Sequence, residues 1–269
     1  MKNTVAVVVP LSARSTFTPD ESITLSQLGH YLNEFDRYFV APRSLKIEMP
    51  GFKVMRFDDR FFGSVLAHNK LMLSKQFYEA FSKYDYILQH HLDALVFSDR
   101  LLEWCQLGLD YIAAPWINCE DTTFVTVPRV GNGGLSLRKV ESFLKVLSST
   151  RYAMDPEEYW TMFCAKNPAL MRWINFPRKY IKRLSRFNGV EWDIRKRYIE
   201  GRLNEDYFWS DDAKYYYPEF KVAPFEVGLR FAFEVAPRRC FEMNNHQLPF
   251  GCHAWPRYDR AFWEPYLLK

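Results

Sequence analysis

Tyr86, Ile87 and Leu88 form an apolar run too short for a helix, between a charged helix-like segment and Ser98-Asp99. A run of this kind is a strand buried in a parallel sheet. Gln89, His90, His91 and Asp93 then arrive together, before Ala94-Leu-Val-Phe97 turns apolar again. Open α/β sheets bind ligands at the carboxyl ends of their strands, so a carboxylate here is well placed for chemistry. An Asp that only caps the next turn explains the same residue. The residues alone favour neither.

The rest of the N-terminal half repeats the rhythm. Val5 to Val9 is a β-branched strand ended by Pro10, and Ile23, Leu25, Leu28 and Tyr31 after Asp20 give a capped amphipathic helix. Arg37 to Ala41 and Lys53 to Phe57 are further strands, and Ser64 to Ser74 has helical spacing that Gln76 to Phe81 continues. The chain is read as α/β, a mostly parallel central sheet flanked by helices, and no Gly-rich dinucleotide fingerprint accompanies it. Leu101 to Leu107 is helical and Tyr111 to Trp116 extended. In Val130-Gly-Asn-Gly-Gly-Leu-Ser-Leu-Arg138 the glycines predict a turn passing close to something, followed by a strand and then a helix that begins at Arg138.

From about 155 to 201 the character changes, with Trp173, Phe176, Arg178, Lys179, Tyr180, Lys182, Arg183 and Arg186 alternating aromatic and basic. A helical insertion in one domain of 1–269 is expected. It suits an anionic membrane face or a lipid-linked diphosphate acceptor, and a solvated helix pair accounts for it equally well. Net charge is only +4, too small to imply nucleic acid. Five scattered cysteines without a C-x-x-C pair argue against a zinc site or disulfide framework. With no apolar run of membrane-spanning length, a cytoplasmic protein, at most peripheral to a membrane, is expected. Beyond the insertion, Glu205-Asp206 precedes an aromatic run, either a catalytic base or a carboxylate favouring a helix N-terminus. Ala223 to Glu234 looks helical. His253 sits in Leu248-Pro-Phe-Gly-Cys-His-Ala-Trp255, as buried structure or as a ligand.

In order and rough spacing these blocks resemble nucleotide-sugar glycosyltransferases of the GT-A fold, distantly the glycogenin-like group. The overall likeness is to poorly characterised glycosyltransferase-like proteins with Gln-x-Asp-Ala, Gly-Asn-Gly-Gly, Glu-Asp and Pro-Phe-Gly-x-His-x-Trp blocks. It covers residues 4 to 150 and 200 to 256. In that group an Asp-x-Asp holds a divalent metal against the donor diphosphate. Here Asp93 matches the second carboxylate and His91, a softer ligand, stands where the first would be. The resemblance implies that His253 completes a site for Mn or Mg and that Lys70 touches the phosphates. It further implies that Asn132, Gly133, Gly134 and Ser136 lie under the donor sugar and that Asp206 or Glu205 is the base.

The expected function is therefore transfer of a sugar to a glycan or lipid-linked hydroxyl, inverting and metal-assisted. Trp116, Trp209 and Trp255 are candidate walls for the sugar. A protein that holds a nucleotide-sugar or glycan without turning it over is the alternative. A sugar-nucleotide pyrophosphorylase ranks low, because Ser12 to Thr18 lacks the glycines of its loop.

Overall fold

A computed structural model describes residues 4–151, 156–184 and 189–268. β1 (Val5–Pro10) leads through helix α1 (Pro19–Tyr31) to β2 (Asp36–Pro42) and β3 (Lys53–Phe57). Thr18, not Asp20, caps α1: its side chain accepts from Glu21 N while the Glu21 carboxylate reaches back to Thr18 N. Helices α2 (Val65–Met72) and α3 (Lys75–Glu79) precede β4 (Tyr86–His90), and they are separate because the chain breaks at Leu73-Ser74. There the Ser74 hydroxyl donates to Leu71 O at 2.7 Å, closing the first helix. The short β5 (Leu95–Val96), α4 (Leu101–Gln106), β6 (Tyr111–Trp116), β7 (Arg129–Lys139) and α5 (Val140–Leu147) follow.

The large sheet has the order β3-β2-β1-β4-β7-β6. Its first four strands are parallel and β7 runs antiparallel to both β4 and β6, so the sheet is mixed: β7 alone opposes five strands that share one direction. No crossover helix joins β6 to β7, and the chain simply returns alongside itself. Val7, Val8, Ile87, Leu88, Leu135 and Leu137 put the core at the middle of this sheet, fully or almost fully buried.

The expected turn at 131–134 does not form. β7 is one continuous strand, irregular in register opposite Ala113–Pro115. Its glycines serve close packing instead: a Cβ on Gly131 would lie 2.2 Å from the Trp116 ring. Arg138 does not begin a helix either. It pairs with Ile87 and Tyr111 inside the sheet, its side chain fully buried, and α5 starts at Val140.

The insertion is helical in its described parts, with α6 (Pro156–Lys166), α7 (Ala169–Leu184) and further helical turns from Val190 to Glu200. Asp155 and Arg186 lie outside the described residues. The expected helix over 223–234 is confined to Phe225–Phe231, because the chain turns extended at Ala232 and enters β8 (Ala232–Phe233). β8 and β9 (Gly251–Cys252) are parallel, and with β5, antiparallel to β9, they make a second sheet of order β5-β9-β8. Trp255, Phe262 and Trp263 pack on it.

Candidate functional site

The large sheet changes direction between β1 and β4: from β1 the chain winds outward through β2 and β3, then crosses to the other side of β1. Such a switch point opens a crevice at the carboxyl ends of the two strands. A cleft of about 490 Å³ lies there. Pro10, Leu11 and Ser12 line it from the end of β1, His91 and Asp93 from the end of β4, and His68 from α2.

The small sheet supplies the other half of the site. Asp93 precedes β5, Glu234 follows β8 and His253 follows β9, so three short strands bring three distant residues to one place. The His253 amide donates to Phe233 O at 2.9 Å and the Trp255 amide to Asp93 O at 3.1 Å. Between them Ala254 takes φ +51°, which folds the chain back on itself. His253 Nε2 is 3.3 Å from Asp93 Oδ1, and Nδ1 is 3.1 Å from Glu234 Oε1. Asn132 Nδ2 donates to Glu234, and Gly134 N donates to Asn132 Oδ1 at 3.0 Å. The His91 amide donates to Gly134 O at 2.9 Å, and the Gln89 side-chain Nε2 is 3.1 Å from His91 Nε2.

His91, Asp93 and His253 each offer a ligand atom, all within 4.8 Å of one another, and can hold a metal ion. The fit is supported by what surrounds them. Glu234 fixes the far nitrogen of His253, the usual outer partner of a ligating imidazole. Beside His91, the His68 ring stands edge-on at 5.0 Å, with its Nε2 buried and without a hydrogen-bond partner among the described residues. Two imidazoles and one carboxylate suit Mn, Fe(II) or Zn better than Mg, which prefers an all-oxygen shell.

Without an ion a proton holds the charges together. Burial by itself would lower the His253 imidazolium, but the hydrogen bonds and charges of Asp93 and Glu234 lift it to about 10. Burial would raise Asp93; His253 beside it, helped by His91, keeps that carboxyl well below the usual range. Asp93 stands at the rim, its side chain 48% exposed. Burial pushes His91 well below its ordinary value and His68 down to about 4, so both are neutral ligand-type imidazoles near pH 7.

The adjacent carboxylates have different surroundings. Glu205 is buried against Arg138, with Nη2 2.7 Å from Oε1 and Nη1 3.2 Å from Oε2. Arg138 also donates to the Tyr78 hydroxyl at 3.0 Å and the Ser136 hydroxyl at 2.9 Å. No cation pairs with Asp206 among the described residues. Burial, then the negative charges of Glu205 and Glu234, raise its carboxyl to about 8. Gly133 packs against the carboxylate pair and Gly134 against His253. A Cβ on Gly133 would come 2.6 Å from Glu205 Oε1, and one on Gly134 2.0 Å from His253 Nε2.

The remaining sequence candidates are more scattered. Lys70 is exposed on α2 and, like Asp206 and His253, is not among the residues that line the cleft. Trp116 is buried, its ring centroid 4.5 Å from that of Tyr207. Trp255 is fully buried and donates from Nε1 to the Thr24 hydroxyl at 3.1 Å. Trp209 belongs to the main core, 4.0 Å from Phe143. Sequence reasoning missed His68, Glu234 and Arg14. Arg14 follows β1, lines the cleft and is ion-paired with Glu21. The helical frame that made Lys70 a candidate also contained His68, two residues earlier. Glu234 carried no local signal.

A protein family described as "Protein of unknown function (DUF5672)" matches residues 51–253. No curated protein matches the chain. Among solved structures it is similar to the apo form of the glycosyltransferase GlyE of Streptococcus pneumoniae TIGR4, with 13% identity and a TM-score of 0.43. That match covers 99% of this chain and 60% of GlyE, so the chain spans less than two thirds of that protein. A likeness of this size bears on neither reaction nor substrate. The family match takes in well over half of the sequence, and the chain belongs to that family.

Proposed function

We propose that this member of a family of unknown function is a glycosyltransferase that moves a sugar from a nucleoside-diphosphate donor to an acceptor hydroxyl. The observation that carries the reading is the place of the His91, Asp93 and His253 group: His91 and Asp93 line the crevice between β1 and β4, where an open α/β sheet binds its ligand, and His253 stands against Asp93. Two imidazoles and one carboxylate would hold a divalent ion there. Such an ion supplies positive charge to a diphosphate.

Each of the chain's own groups has a distinct task in this reading. Arg14, at the cleft mouth, can exchange Glu21 for a phosphate oxygen. Asp206 accepts the proton of the attacking hydroxyl as that oxygen bonds to the anomeric carbon; the bond from that carbon to the diphosphate oxygen breaks, and the leaving group keeps the electron pair. A carboxyl at about 8 is matched to this work near neutral pH, since a base must be unprotonated yet basic enough to take the proton. Glu205, neutralised by Arg138, positions that segment instead of reacting. Gly133 and Gly134 let the two halves approach.

Thermal melting against nucleoside diphosphates and nucleotide-sugars, with and without manganese, tests the reading, because a ligand that binds only the folded chain raises its Tm. A manganese-dependent rise with one nucleotide, together with release of sugar from the matching donor, is expected. Stabilisation with no turnover of any donor would make the chain a binding protein. No stabilisation by any nucleotide would refute the donor site.

A further inference from the structure

We propose that α7 lies flat on an anionic membrane surface and holds the protein there. The inference is independent of the reaction. Leu170, Trp173 and Ile174 fall at helix spacings of three and four, so they share one face. They are 71%, 77% and 57% exposed, and Met171 beside them is 43% exposed. Three large side chains turned to solvent on one helix face are a cost to a soluble chain unless something covers them. In sequence the same spacing continues through Pro177, Ile181 and Leu184. Asn175, between these positions, is buried, so the helix is seated by another side.

Charge identifies what covers the stripe. Over Ala169–Leu184 the sequence has Arg172, Arg178, Lys179, Lys182 and Arg183 and no acidic residue, more positive charge than the whole chain's net +4. An apolar stripe with a Trp, on a helix whose charged residues are all basic, is the composition of a helix that rests in the headgroup layer of an anionic bilayer. Basic residues there add attraction to acidic lipid, roughly fivefold in affinity for each one close to the surface. The arrangement does not fit a span: among the described residues no helix is long and apolar enough to cross a membrane. A second copy of this chain would bring an equally basic segment against the first, which disfavours self-association.

The test is co-sedimentation of the full chain with vesicles of phosphatidylcholine alone or mixed with phosphatidylglycerol. Binding at least tenfold tighter to the phosphatidylglycerol vesicles, and lost in high salt, is expected. The combined substitution Leu170→Ser, Trp173→Ser and Ile174→Ser should weaken that binding at least tenfold while Tm stays unchanged, since these side chains are exposed. Equal binding to both vesicle types, or binding that survives the triple substitution, would overturn the proposal. So would a concentration-dependent dimer that the triple substitution dissolves in the absence of vesicle binding.

Discussion

Glu205 and Asp206 are neighbours in sequence with opposite electrostatic situations. A salt bridge with Arg138 satisfies Glu205, whereas Asp206 sits among negative charge with its carboxyl raised to about 8. A raised carboxyl adds stability at pH values below its unfolded pKa, and that contribution is lost as pH climbs through the folded value. Asp206→Asn should therefore be more stable than the parent at pH 9, by about 1–3 kcal/mol, because it never has to ionise in place. The same substitution should abolish transfer and leave nucleotide binding intact. Parallel melts at pH 5 and pH 9 and a donor-binding titration check this, and lost nucleotide binding in a folded variant would refute the base assignment. The parent's transfer rate should rise with pH and level off above about 8, the mark of a base with that pKa. Glu205→Ala should behave differently. It leaves Arg138 buried without its anion, and breaking such a pair costs about 3–5 kcal/mol, read as a large fall in Tm.

At the scale of elements the site is a product of close approach. Gly134→Ala would place a methyl 2.0 Å from His253 Nε2, and the backbone of β7 is held by neighbours on both sides. His253 must therefore move, and we expect Gly134→Ala to lose manganese binding in calorimetry while keeping the sheet's far-ultraviolet circular dichroism. Unchanged manganese binding would show that His253 is not a ligand. These glycines also mark where the sequence was legible and where it misled. Val5–Pro10 and the Tyr86, Ile87 and Leu88 run announce themselves because strands buried on both faces are apolar, while Asp36–Pro42 and Lys53–Phe57, which also carry charged residues, are legible from their apolar middles. Val130 to Arg138 reads as a turn because three glycines in four residues usually provide conformational freedom. Here they leave room for Trp116, Glu205 and His253, which lie far away in the chain. Arg138 looks like a helix start for the same reason: its partner Glu205 comes 67 residues later. Glu234 could not be found locally, since only the pairing of β8 with β9 brings it to His253.

Taken as a whole molecule, the protein buries several groups in the protonation state they do not prefer in water, and this sets its response to pH. Burial lowers His68 and His90 to about 4 and drives His91 well down, against about 6.5 in an unfolded chain. Between pH 6.5 and 4 the unfolded state binds the extra protons, so stability falls as the solution is acidified. Asp206 works the other way over this range, one carboxyl against three imidazoles. Above pH 6.5 the balance reverses. His253, raised to about 10, and Asp206, raised to about 8, give up protons that the folded state had favoured, and stability declines through both values. Metal-free protein in chelator should therefore be most stable near pH 6.5, with Tm falling on either side. Held by His91, Asp93 and His253, manganese would stand in for the His253 Nε2 proton that faces Asp93 with a charge that does not titrate, so it should flatten the alkaline limb and leave the acid limb in place. Melting curves from pH 4 to 10, with chelator and with manganese, decide the matter. A Tm in chelator that keeps rising to pH 10 would mean that the proton on His253 holds nothing together and leaves a metal no proton there to replace.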